Sequence, residues 1–316
     1  MKIFSLNKSI LSKKILSNLP GQNFDDNLKI DKFSDGEFCP VFLSSIREEE
    51  IYLIFDGHSA EDIIKLLLTI DAAKRSGAKS ISVIAPYLPY SRSDKNDHIR
   101  QSISAKLLAD ILTDVGISKI ITIDLHNPSI QGFYNVPVVH LLSNKIFTKH
   151  IKSLNLDNLC FVAPDHGATK RNLLLAKNFE NSTFAVIDKK RVKPNEIASM
   201  SLINSVEGKN VVIFDDLGDT LGTICKATDL LFENGALSVR GVLTHPVMSG
   251  NALDKLSKSK MTELIVSDSI PSIYSKIEFY NQSKHNCNVT ILSCSNLITN
   301  SIEKLQKHES INELNL

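Results

Sequence analysis

Net charge of either sign is almost absent from this chain. Lysine and arginine number 36, aspartate and glutamate 35. Nothing global therefore favours nucleic acid or an anionic membrane surface, and any anion must be bound by a local site. Paired cysteines are lacking too. The five cysteines (Cys39, Cys160, Cys225, Cys287, Cys294) are odd in number and form no CxxC. That excludes a disulfide framework and a cysteine zinc site, and points to a reducing cytoplasm. No apolar run approaches the ~20 residues of a membrane span. Lys2, Lys8, Lys13 and Lys14 break up the first 19 residues, so the unbroken apolar core of a signal peptide is missing. Repeats and low-complexity segments are missing as well.

What is present is an ordinary globular composition, 42% hydrophobic and 22% charged over 316 residues, a length suited to two domains. One stretch organises it: residues 211–223, VVIFDDLGDTLGT. Its apolar start reads as a buried strand. Asp215 and Asp216 follow where that strand is expected to end. Gly218, Asp219, Thr220, Leu221, Gly222 and Thr223 then form a loop rich in small residues. Ile224, Ala227, Leu230 and Leu231 mark an amphipathic helix behind it. Backbone N–H groups at a helix start can face an anion, and glycines let a phosphate come close. Carboxylates repel phosphate but suit sugar hydroxyls, or a metal through water. A sugar phosphate satisfies both halves. An ordinary strand–helix turn with an aspartate cap is the alternative.

Strand–helix alternation runs along the rest of the chain. Strands are expected at 2–6, 51–55, 80–85 and 119–123, and helices at 9–19, 60–76 and 104–115. The pattern resumes with strands at 159–163, 184–187, 211–214, 238–243, 263–266 and 289–292, and a closing helix at 296–308. This is the pattern of an α/β protein with two tandem doubly wound domains, 1–145 and 146–316, divided near 141–154. Whether the tail crosses back onto the first domain stays open.

Between these elements lie chemically loaded turns. Phe33, Asp35, Gly36 and Glu37 put an aromatic and two acids around a glycine. Residues 86–95 set tyrosines beside Arg92, Ser93 and Asp94 at a strand end, where a base and a phosphate can be held. His126 stands just past the 119–123 strand, on the side where open α/β sheets bind ligands. Asp165 opens the turn after the 159–163 strand. Lys189 and Arg191 belong to a cationic run that by itself reads as a solvated loop.

Taken in order, eight segments resemble the ribose-phosphate pyrophosphokinase family. They are FSDGE at 33–37, PYLPYSRSD at 86–94, ISAKLL at 103–108, DLHNPSIQGF at 124–133, APDHGATKR at 163–171, DKKR at 188–191, DDLGDTLGT at 215–223 and TELIVSDSIP at 262–271. The 215–223 segment is similar to the ribose-phosphate loop of type I phosphoribosyltransferases, and the resemblance implies that fold for both domains.

The resemblance also implies a reaction. Ribose 5-phosphate attacks the β-phosphorus of MgATP through its 1-hydroxyl, giving 5-phosphoribosyl 1-diphosphate (PRPP) and AMP. No GxxxxGK[ST] loop occurs, so ATP is to be held in another way than in a P-loop. Asp215 and Asp216 are implied to hold the ribose hydroxyls, and Asp219, Thr220, Leu221, Gly222 and Thr223 the 5-phosphate. His126 and Asp165 are implied as Mg²⁺ ligands, although Mg²⁺ prefers oxygen. Lys189 and Arg191 close over the site. Arg92, Ser93 and Asp94 meet ATP. Phe33, Asp35, Gly36 and Glu37 reach the ATP of a neighbouring subunit. A homohexamer built from dimers, with control by ADP or phosphate, completes the implied picture.

Several positions depart from the family pattern. Ser93 and Lys95 stand where Gln and Arg are usual, and Pro128 interrupts the segment after His126. Ala168 replaces a glycine, and Pro246 a small residue. Gly218 and Leu221 replace an apolar and a small residue. The expectation is an active enzyme with a weakened ATP contact at Ser93. Two other readings stay open. A non-catalytic regulatory subunit would lack the catalytic lysine, the acid pair or the metal ligands. A PRPP-consuming phosphoribosyltransferase would need one α/β domain and no FSDGE or DLH segment.

Overall fold

The computed structural model describes residues 1–19, 27–193 and 196–315, with side chains except at residues 190–199. The chain divides into two compact units. The first comprises Met1–Leu142, Ser269–Pro271 and Cys294–Leu316; the second comprises Ser143–Asp268 and Ser272–Ser293.

The first unit begins with strand β1 (Lys2–Ser5) and helix α1 (Ile10–Asn18). A two-stranded hairpin follows, β2 (Leu28–Lys32) and β3 (Phe38–Phe42). Then come β4 (Glu50–Ile54), α2 (Ala60–Arg75), β5 (Ser80–Ile84), α3 (Ser104–Val115), β6 (Lys119–Ile123) and the short β7 (Val138–Leu141). Five strands form one parallel sheet in the order β1-β4-β5-β6-β7. Local chemistry sets the helix limits. Ser59 and Asp62 make a reciprocal capping box that starts α2. Gly116, in the left-handed region at φ 112°, closes α3. Leu66 and Ile70 of α2 and Leu108 and Leu112 of α3 bury against Phe4, Leu53 and Val83 of the sheet.

The second unit contains α4 (Asn144–Ser153), β8 (Leu159–Ala163), α5 (Thr169–Ala176), β9 (Thr183–Lys193), β10 (Glu196–Ile203) and β11 (Asn210–Gly218). It continues with α6 (Gly222–Glu233), β12 (Ser238–Pro246), α7 (Ala252–Lys258), β13 (Glu263–Ser267), α8 (Ile273–Tyr280) and β14 (Asn288–Leu292). The strand order is β10-β9-β8-β11-β12-β13-β14. All pairs are parallel except β9 with β10. Val211 and Ile213 of β11 face the α6–α8 core, whereas Val212 and Phe214 face Phe147, Ile151 and Leu175 of α4 and α5. A strand buried on both faces must be apolar at every position, which is why residues 211–214 read as an unbroken run. Order reverses between β8 and β11. Such a switch point opens a crevice at the carboxyl ends of its two strands.

The last helices, α9 (Ser295–Gln306) and α10 (Asn312–Asn315), belong to the first unit. The Asn18 amide donates to Asn296 Oδ1 at 2.8 Å, joining α1 to α9. The Asn315 amide accepts the Leu142 N–H at 2.9 Å and donates to the His140 carbonyl at 3.0 Å. It serves backbone groups at the end of edge strand β7. Among the described residues no helix is long and apolar enough to cross a membrane.

Two expectations change. Strand β11 does not stop before the acid pair but runs on to Gly218, because its ladder with β12 continues through Leu217–His245 and Gly218–Pro246. The cationic run at 188–193 is not a loop but the outer half of β9, paired with β10 as a hairpin.

Candidate functional site

In the second unit, Asp215 and Asp216 sit at the carboxyl end of β11, beside the switch point. Arg171 of α5 reaches both. Its Nη1 lies 2.8 Å from Asp216 Oδ1 and 3.5 Å from Asp215 Oδ1. Burial first, and then the neighbouring Asp216 carboxylate, push Asp215 up to about 8, against the pull of Arg171. Asn172, one residue on, is buried and was not foreseen. Its amide donates to the Phe214 carbonyl at 2.7 Å and accepts the Phe214 N–H at 3.1 Å. The β8–β11 ladder ends at Ile213–Val162, so Asn172 supplies Phe214 with the partners a strand would have given. A lone asparagine within a helical pattern carries no signal of that role.

The small-residue loop follows directly. Leu221 stands at the N-cap of α6 with φ 55°, in the left-handed region, and gives no side-chain cap. Gly222 and Thr223 belong to the first helical turn, where N–H groups have no intrahelical acceptor and can meet an anion. Thr220 and Thr223 are exposed. The loop is braced from behind. Met248 N–H donates to the Gly218 carbonyl at 2.9 Å, and Ser249 N–H to the Asp219 carbonyl at 3.0 Å. The Ser249 hydroxyl also donates to the Asp219 carboxylate. Lys255 Nζ lies 3.1 Å from the Thr220 carbonyl.

The β8–α5 turn meets β9. Asp165 Oδ1 accepts the Ala168 N–H at 3.1 Å, and its Oδ2 lies 3.6 Å from Lys189 Nζ. His166 Nε2 lies 3.1 Å from Asp188 Oδ1. The side chain of Lys189 is 4% exposed, far from a solvated surface lysine. The side chain of Arg191 falls outside the described ones.

In the first unit, the residues 33–37 form the hairpin turn between β2 and β3. Phe33 N–H donates to the Glu37 carbonyl at 2.8 Å, and Glu37 N–H to Asp35 Oδ1 at 3.1 Å. Gly36 takes φ 97°, which only glycine adopts readily. Phe33, Asp35 and Glu37 all point into solvent, with Phe33 54% exposed. Arg92 is exposed on the loop after β5, and His126 is exposed just past β6. Ser93 is employed within its own loop. Its hydroxyl donates to the Ser102 carbonyl at 3.2 Å and accepts the Ser104 N–H at 3.4 Å, capping α3 where Ile103 cannot. Asp94 Oδ2 accepts from the Asn127 amide at 2.7 Å.

Known proteins share this sequence pattern and fold. The family description "N-terminal domain of ribose phosphate pyrophosphokinase" matches residues 1–116, and "phosphoribosyl synthetase-associated domain" matches 170–315. A ribose-phosphate pyrophosphokinase of Oceanobacillus iheyensis is 37% identical over 319 aligned residues, 99% of this chain and 96% of the relative. One from Porphyromonas gingivalis is 41% identical over 290, covering 91% and 89%. The crystal structure of phosphoribosylpyrophosphate synthetase from Mycobacterium smegmatis superposes with a TM-score of 0.85 at 30% identity, covering 97% of this chain and 99% of that one. With both its units matched, the chain belongs to the ribose-phosphate pyrophosphokinase family.

Proposed function

We propose that this chain transfers the diphosphoryl group of MgATP to the 1-hydroxyl of ribose 5-phosphate, giving PRPP and AMP. One observation carries the reading: an arginine-neutralised acid pair leads straight into an uncapped helix start at the switch point of the second sheet. The acids suit the ribose hydroxyls. The first-turn N–H groups of α6, with Thr220 and Thr223, suit the 5-phosphate. The bracing by Met248 and Ser249 holds those groups in place before substrate arrives, which is how positioning lowers the barrier of phosphoryl-type transfer.

Lys189 neutralises charge on the transferring group, helped by Arg191. The nucleotide falls to the first unit, with Arg92 at its phosphates. Asp94 supports that loop. The exposed Phe33, Asp35, Gly36 and Glu37 turn is offered to ATP on another copy of the chain. Ile64 and Leu68 of α2 and Leu107 and Ile111 of α3 are exposed at helical spacing, an apolar surface that self-association would cover. A homohexamer built from dimers, and control by ADP or phosphate, follow from the family likeness. All five cysteines are free thiols, which suits the cytoplasm.

Among the described residues no three His, Cys, Asp or Glu side chains gather as a metal cage. The Asp165 carboxylate is the oxygen donor that Mg²⁺ prefers, and Mg²⁺ would be carried in on nucleotide phosphates and keep its waters, with Asp165 and His126 as single ligands. When bound, the ion would neutralise phosphate charge.

³¹P NMR of the protein with ATP, Mg²⁺ and ribose 5-phosphate tests the proposal. AMP and a sugar diphosphate signal are expected. ATP left intact would return the chain to the non-catalytic reading.

A further inference from the structure

Two turns of the first unit are expected to serve the nucleotide, and one side chain ties them together. Strand β6 ends at Ile123, and the next residue, Asp124, is buried and takes φ 38°. The turn is tied to β7 by Asp124 N–H on the Leu141 carbonyl and Leu125 N–H on His140 Nε2, each at 2.9 Å. The chain then presents His126 to solvent. Asn127 follows and uses both ends of its amide. Its Oδ1 accepts the Ser129 N–H at 3.0 Å, and its Nδ2 donates to Asp94 Oδ2 at 2.7 Å. The amide can lie only one way round. A backbone N–H must donate and a carboxylate must accept, so oxygen faces Ser129 and nitrogen faces Asp94.

Asp94 closes the loop that carries Arg92. That loop is anchored at Ser93 by the Ala105 N–H on its carbonyl at 3.1 Å and by its hydroxyl on the start of α3. Its far end meets the β6 turn through Asn127. A hydrogen bond to an ionised carboxylate is stronger than a neutral one, and Asn127 is half-buried, which limits competition from water.

We propose that Asn127 is a positioning residue. It locks the Arg92–Asp94 loop to the turn bearing His126, so that both receive the nucleotide as one preformed surface. This rests on the proposed function, because it assigns both turns to the nucleotide.

The test replaces the donor and keeps the shape. N127D retains an acceptor for Ser129 N–H but sets a carboxylate against Asp94. N127S keeps a short acceptor for the turn and cannot reach Asp94. Calorimetry with Mg²⁺ and α,β-methylene-ATP, in which the reacting bond is blocked, reads binding without turnover. N127D should raise the dissociation constant and the KM for ATP about tenfold or more, since facing like charges are costly. N127S should do so less strongly, and the KM for ribose 5-phosphate should stay within about twofold for both. Unchanged affinity in N127D, or an equal loss for both substrates, would overturn the proposal. Should N127D fail to fold, N127S decides by the same split between substrates. A wild-type protein that makes no AMP defeats the proposed function instead, while its calorimetry still judges Asn127.

Discussion

Gly218 and Leu221 are fitted to each other. A Cβ on Gly218 would lie 2.9 Å from Leu221 Cδ2 and would collide with Leu243 Cδ1. The two departures from the family's phosphate loop are therefore one rearrangement. Leu221 turns its side chain into the α6–α8 core, 3% exposed, and Gly218 vacates the space. The backbone N–H groups that would meet a phosphate are untouched. G218A should lose about 1–3 kcal/mol by overpacking, and L221A about 2–5 kcal/mol by leaving a cavity. G218A/L221A should lose less than their sum, because removing the Leu221 side chain ends its 2.9 Å contact with the new methyl, while the collision with Leu243 stays in both backgrounds. Urea denaturation of all three gives the cycle, and strict additivity would separate the two residues.

Lys189 is expected to act on the reaction rather than on sugar binding. It lies 3.6 Å from Asp165 on β9, whereas the acid pair and the loop that suit ribose 5-phosphate lie on β11 and α6. K189A should lower turnover on the order of 10²–10³-fold, the loss usual for one donor to developing charge. Ribose 5-phosphate affinity, measured by calorimetry, should be mostly kept. Undiminished turnover would remove Lys189 from the mechanism.

Much of this was readable because burial writes itself into the chain. Residues 211–214 are apolar at every position because helices cover both faces of β11. The hairpin β9–β10 was not readable, since Asp188, Lys189, Lys190 and Arg191 imitate a solvated loop. Four residues of β7 are too short to show a period. Ser93 read as a ligand contact, but its hydroxyl caps α3, a role fixed by residues some ten positions away. The acid pair and the glycine-bearing loop were legible because their chemistry is local. Arg171 and Asn172, which hold the pair in place, act across the fold.

Asp215 makes stability depend on pH. Its folded value, about 8, lies above its unfolded value, so the folded state binds the proton more tightly. That contribution is full below about pH 4, the unfolded carboxyl range, and is lost as pH rises through about 8. Wild type should therefore lose stability relative to D215N as pH rises across this window. Urea midpoints at constant ionic strength measure the difference. A difference independent of pH would mean that Asp215 is ionised throughout.

The apolar face of α2 and α3 has a direct consequence for assembly. Leu107 is 57% exposed and Ile64 50%, so a charge at Leu107 should cost the single unit little. If copies of the chain meet there, L107E should shift sedimentation to a smaller species, with the melting of the isolated chain little changed. An unaltered sedimentation profile would move the contact elsewhere.

Asn172 offers the sharpest separation of scaffold from chemistry. Its amide bonds to the Ala168 carbonyl and satisfies both backbone groups of Phe214, the residue before the acid pair, and neither Ala168 nor Phe214 is assigned to substrate. Removing it leaves a buried N–H and a buried carbonyl without those bonds, each worth about 1–3 kcal/mol when orphaned. N172A should thus lower the urea midpoint by an amount corresponding to about 3 kcal/mol. Because Phe214 leads directly into Asp215, the displaced backbone should also raise the KM for ribose 5-phosphate more than that for ATP. Stability lost with both KM values unchanged would show that the acid pair is held by Arg171 and the β11–β12 ladder alone, and that the clasp on Phe214 serves the fold without reaching the site.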